Sequence, residues 1–135
     1  MLGNAEIRKI LVVEDEASIA DTLAVILSTR GYSVQVAYAA EKAIEIIAEW
    51  PPDLAIVDVM LPGMNGIDFS IIIRTNYPAC RLLLFSGQPD TSVLLEEALK
   101  KGYNFQVHAK PVHPTFILNA VEDLLSSGHE PLADA

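Results

Sequence analysis

The chain has 135 residues, 51% hydrophobic and 20% charged, which suits one domain with a single well-buried core. Nine basic against 18 acidic residues give a net charge of −9, which disfavours nonspecific contact with nucleic acid or an anionic membrane. The single cysteine, Cys80, excludes an internal disulfide, and no apolar run reaches the length of a membrane span, so the expected location is the cytoplasm.

Apolar runs and helical stripes alternate along the chain. A short apolar run at 10–13 predicts a first strand, and it ends in Glu14-Asp15-Glu16. A helix follows over 17–29 with Ile19, Leu23, Ile26 and Leu27 on one stripe, stopped by Gly31. Alternation through Val34 and Val36 predicts a second strand at 32–38, on a sheet edge. The next helix, 40–50, presents Ile44, Ile47 and Ala48 inward and ends at Pro51-Pro52.

Residues 54–58, Leu-Ala-Ile-Val-Asp, read as a strand buried on both faces, the signature of a parallel sheet. A helix over 66–76 contains Ile71-Ile72-Ile73, which locally favours strand, but the alternation of elements argues for helix. Asn65 reads as its cap. A fourth strand at 81–85 ends at Ser86-Gly87, and a helix over 90–101 turns Leu95, Ala98 and Leu99 inward. A fifth strand at 105–109 precedes a helix over 114–127 with Ile117, Ala120, Val121 and Leu124 in register. Residues 128–135 read as a flexible tail, so one domain spans 1–135 with its core at about 9–127. His108 and His113 have no partners at ligand spacing and read as structural or surface residues.

Five strands alternating with five helices predict an α/β fold, a doubly wound parallel sheet, whose sites lie at the carboxyl ends of the strands. Those ends carry Glu14 and Asp15, Asp58, Ser86 and Lys110. Carboxylates gathered there repel one another unless a cation compensates, and oxygen ligands suit Mg2+. The plainer alternative is that the acids only cap the following helices, Ser86 only makes a turn, and Lys110 is only solvated. Taken together, the set suits phosphoryl transfer: Asp58 as nucleophile, Lys110 and a metal offsetting charge, Ser86 donating a hydrogen bond.

Four segments carry a family resemblance: residues 10–16, Asp58 to Gly66 with its Leu61-Pro62-Gly63 turn, Phe85-Ser86-Gly87, and Lys110-Pro111. Together they resemble the receiver domain of two-component response regulators, over about residues 9–127. The resemblance implies the flavodoxin-like strand order 2-1-3-4-5 and Asp58 as the residue phosphorylated by a histidine kinase or phosphotransfer protein. It also implies Mg2+ held by Asp15, Asp58 and the Met60 carbonyl, with Glu14 acting through water, and a cis Lys110–Pro111 bond. It implies a stand-alone switch acting on an unknown downstream protein, as a monomer or weak dimer, and catalysing only its own phosphorylation and dephosphorylation.

A phosphorylation-independent pseudo-receiver needs none of the acid, hydroxyl and lysine set. A flavin mononucleotide binder needs a neutral phosphate loop where Glu14-Asp15-Glu16 stands. The sequence departs from the family before Lys110: the segment after Gly102 is one residue longer, and Val107 replaces the usual strand aromatic. Phe105 is the nearest aromatic. Signalling through a rotating tyrosine is therefore not expected.

Overall fold

The computed structural model describes residues 6–87 and 91–127. Its elements are β1 (Lys9–Val13), α1 (Ala17–Ser28), β2 (Ser33–Ala37), α2 (Ala40–Glu49), β3 (Leu54–Asp58), α3 (Gly66–Asn76), β4 (Arg81–Ser86), α4 (Ser92–Lys100), β5 (Val107–Ala109) and α5 (Pro114–Ser127). The strands form one parallel sheet in the order β2-β1-β3-β4-β5, so β2 lies on an edge and β3 at the centre. This is the expected doubly wound, flavodoxin-like arrangement. The expected start of the fourth helix at residue 90, and the tail from 128, lie outside the described residues.

Strand periodicity sorts the core into two layers. Leu11, Val13, Ala55, Val57, Leu82 and Leu84 face α2, α3 and α4. Ile10, Val12, Leu54, Ile56, Leu83 and Phe85 face α1 and α5. Every residue of β3 is buried, as its unbroken apolar run requires. The isoleucine run is helical after all. Asn65 Oδ1 accepts from the Asp68 amide at 2.9 Å while Asn65 Nδ2 donates to the Asp68 carboxylate at 3.2 Å. That reciprocal cap starts α3, and burial of Ile67, Phe69 and Ile73 outweighs the local strand preference.

Three expectations need correction. Ala48 is exposed, because the buried face of α2 runs through Ala40, Ala43 and Ile47, and Ala48 is a further 100° round the helix. Leu99 is exposed for the same reason; α4 packs through Leu94, Leu95 and Ala98. The fifth strand begins at Val107 rather than 105. Phe105 leaves the sheet to bury its ring against Tyr103, stacked at 6.1 Å and 5° between planes, with the Arg74 guanidinium 5.1 Å from its centre. A stacked, cation-covered ring stabilises that departure more than two further strand positions would.

Candidate functional site

β1, β3, β4 and β5 deliver their carboxyl ends to one edge of the sheet, and each brings a sequence-predicted residue. Asp58 ends β3 opposite Phe85, and Ser86 ends β4 opposite Ala109. The Lys110 amide donates to the Ser86 carbonyl at 2.9 Å, which fixes the start of the lysine side chain. The Lys110–Pro111 bond is cis, as expected. The Glu14 amide donates to the Ala37 carbonyl at 3.0 Å, holding the first acid against β2.

From these anchors the side chains converge. Lys110 Nζ donates to Glu14 Oε1 at 2.5 Å and lies 3.5 Å from Asp58 Oδ2. The other oxygens are held by backbone: Glu16 N–H donates to Glu14 Oε2 at 3.1 Å, and Met60 N–H to Asp58 Oδ1 at 3.3 Å. One carboxylate oxygen from each of Glu14, Asp15 and Asp58 lies within 4.8 Å of the other two. Glu14, Asp58 and Ser86 are buried, whereas Asp15 and Met60 are exposed. A cavity of about 440 Å³ opens beside Glu14, Asp58 and Lys110 and runs between α1 and α5.

Burial pushes the Glu14 carboxyl above the usual range, against the opposing pull of the Lys110 and Glu16 hydrogen bonds, and the Asp58 charge adds to the rise. Burial alone would lower the Lys110 ammonium; its bond to Glu14 and the charge of Asp58 reverse that and raise it. The lysine thus acts as the internal counter-ion of a site with excess negative charge. Three hard carboxylate oxygens in one small space suit Mg2+, and the site fits that ion.

Two residues acquire roles that the sequence did not suggest. His113 Nδ1 accepts from the Thr115 amide at 3.1 Å, capping the first turn of α5. Glu41 Oε2 accepts from the Met64 amide at 3.0 Å, joining α2 to the turn after β3. A local signal existed for Glu41, an acid in the first turn of a helix, but its partner is 23 residues away. His108 is structural, as expected: its ring lies 5.5 Å from Phe85 and 5.2 Å from Phe116, and burial lowers its pKa.

A five-stranded parallel sheet in the order 2-1-3-4-5, with an acid cluster, a hydroxyl and a lysine at its carboxyl edge, is the architecture of signal receiver domains. The chain belongs to the response regulator receiver domain family, whose model matches residues 10–122. It is 36% identical over 84 residues to the DNA-binding response regulator MtrA of Mycobacterium tuberculosis, covering 62% of this chain and 36% of that protein. With the MtrA of Mycolicibacterium smegmatis it shares 31% identity over 127 residues, 94% of this chain and 54% of the relative. The chain therefore spans about half or less of the curated relatives it matches.

Among solved structures, it resembles a CheY-like receiver domain protein from Methanospirillum hungatei, with a TM-score of 0.80 and 26% identity over 91% of this chain and 97% of that one. It also resembles the signal receiver domain of an HD domain-containing protein from Pseudomonas fluorescens, with a TM-score of 0.81 and 28% identity over 91% and 98% of the two chains. No helix among the described residues is long and apolar enough to cross a membrane.

Proposed function

We propose that Asp58 accepts a phosphoryl group from the phosphohistidine of a kinase or phosphotransfer protein, and that the modified chain changes its affinity for a partner protein. The observation that carries this reading is the approach of Lys110 to both Glu14 and Asp58 beside a third carboxylate, Asp15. A carboxylate oxygen of Asp58 attacks phosphorus; the P–O bond forms as the P–N bond breaks, the electron pair of that bond returns to nitrogen, and the ring, already protonated on its other nitrogen, leaves as neutral imidazole. Lys110 follows the charge from the carboxylates to the phosphoryl oxygens, and Ser86 donates its hydroxyl to one of them. Asp15, Asp58 and the Met60 carbonyl would hold Mg2+, with Glu14 reaching it through water; when bound, the ion offsets phosphoryl charge. The chemistry is the chain's modification of itself.

Mass spectrometry after incubation with acetyl phosphate and Mg2+ tests this. The expected result is one added phosphoryl group, mapped to Asp58 and absent without Mg2+ or in Asp58→Asn. A Mg2+-dependent phosphate on another aspartate, or none at all, removes the reading. The relatives are named as DNA-binding; the net charge of −9 disfavours nonspecific contact of this domain with DNA, and no DNA binding is proposed for it.

We also propose that the switch signals through Gly87 and the start of α4, not through an aromatic on β5. Val107 is stiff and small, and Phe105 is held in its stack with Tyr103 and Arg74. Beryllofluoride with Mg2+, which mimics the phosphoryl group, should shift the amide signals of Gly87 and residues 91–95 more than those of Phe105 and Val107. The reverse ranking would sink this route.

A further inference from the structure

We propose that Glu41 is a positioning residue for phosphoryl transfer, latching the turn that follows the phosphoacceptor to the start of α2. The inference rests on the proposed function above, and it names a side chain outside the acid, hydroxyl and lysine set.

The turn between Asp58 and α3 is closed at its base by the Gly66 amide, which donates to the Val59 carbonyl at 2.7 Å. Its second residue, Met60, touches Asp58 Oδ1 through its amide. Its far end is held by Glu41, whose Oε2 accepts from the Met64 amide at 3.0 Å. The approach is close. Gly63 has φ +76, and a Cβ built on it would stand 2.8 Å from that same oxygen. The carboxylate therefore occupies the space that a side chain at residue 63 would otherwise claim.

Glu41 lies in the first turn of α2, where its negative charge faces the positive end of the helix, and Ala39, before α2, offers no capping side chain. One carboxylate thus joins the first turn of α2 to the turn that carries Met60. The Met64 amide and then its own amide hold the Glu41 carboxyl below the usual carboxylate range, so it stays charged in mildly acid solution.

Glu41 is exposed, and its side chain adds nothing to either core layer. Cutting it back should leave the fold intact while freeing the turn. The Met60 carbonyl would then sample a wider range of positions, and a ligand that is free to wander binds metal more weakly. Residues that orient metal ligands commonly carry tenfold or greater effects on affinity.

The test uses the full chain and three variants: Glu41→Ala, Glu41→Gln and Glu41→Asp. Glutamine keeps an acceptor at the right reach; aspartate keeps the charge but falls one methylene short. Mg2+ affinity is followed by amide NMR, Met64 hydrogen exchange is measured without metal, and urea unfolding reports the fold. Ala and Asp are expected to weaken Mg2+ by about tenfold and to speed Met64 exchange. Gln should stay close to wild type, and the urea midpoints should not move. Unchanged Mg2+ affinity in Glu41→Ala overturns the proposal, as does an Asp variant that behaves like wild type, which would mean that charge alone matters. Affinity losses matched by falling urea midpoints overturn it too. A wild-type chain that binds no Mg2+ would sink the receiver reading instead; the latch is then judged by Met64 exchange, and unchanged exchange in Glu41→Ala overturns it.

Discussion

Replacing Lys110 by methionine is expected to destabilise the chain by about 3 kcal/mol at neutral pH, the lower end of the range for breaking a buried ion pair. The lysine stem keeps its length, so the loss is that of the charge. Glu14 and Asp58 are 3% and 8% exposed, and one oxygen of each lies within 4.8 Å of the other and of an Asp15 oxygen. Without the ammonium, the Glu16 and Met60 amides remain to offset this charge, and each is only a neutral donor. The lower end applies because the lysine side chain is itself 20% exposed, so water screens part of the interaction.

The pH dependence gives the prediction a second edge. Burial already holds the Glu14 carboxyl above its ordinary value of 4.5, so the folded state takes up a proton before the unfolded one does. A carboxyl shifted upward costs stability at neutral pH, and that cost is relieved as pH falls through the folded value towards 4.5. Removing Lys110 widens this window upward, so the variant should recover on mild acidification, and also on adding Mg2+. In the wild type, the raised Lys110 pKa means that the lysine's stabilisation is complete below 10.5 and is lost as pH rises through the folded value. Urea unfolding of the variant at neutral and mildly acid pH, with and without Mg2+, and of the wild type as pH rises above 10.5, checks both signs. A variant within about 0.5 kcal/mol of wild type at neutral pH would show that the charges are not confined together.

Gly66→Ala is expected to cost about 3 kcal/mol or more, at or beyond the upper end for overpacking, and to abolish phosphoryl uptake. A Cβ at this position would stand 2.3 Å from the Asp58 carbonyl oxygen, 2.7 Å from Val59 Cα and 2.9 Å from Val57 Cγ1. Two of those atoms are backbone of β3 and the residue after it, so no rotamer change relieves the contact. Either α3 withdraws, stretching the 2.7 Å bond from Gly66 N–H to Val59, or Asp58 moves out of line with Lys110. Both routes disturb Asp58, the proposed phosphoacceptor. The urea midpoint and acetyl phosphate uptake, measured on the same sample, decide it; wild-type values in both would mean that the packing here is looser than the distances require.

Much of this molecule could be read from local pattern. The unbroken apolar run of β3 demanded burial on both faces, and burial on both faces demanded a parallel sheet with helices on each side. Once the sheet is parallel, strand ends of the same polarity must meet at one edge, so acids after β1 and β3, a serine ending β4 and a lysine after β5 become neighbours across 96 residues of chain. Family resemblance then supplied the strand order and the cis bond before proline.

Tertiary structure decided what depends on a distant partner. Leu99 and Ala48 fit a helical stripe by type, but a stripe has a direction, and only the neighbouring sheet sets it. Phe105 looked like a strand residue until Tyr103 and Arg74 offered its ring a better surface than the sheet edge. Glu41 carries no pattern of its own beyond an acid near a helix start, and its bond exists because the turn at Gly63 and Met64 comes within reach. Periodicity and strand-end chemistry are properties of short segments and survive in the sequence; facing directions, ring contacts and bridging bonds belong to pairs of segments and exist only after the chain has folded.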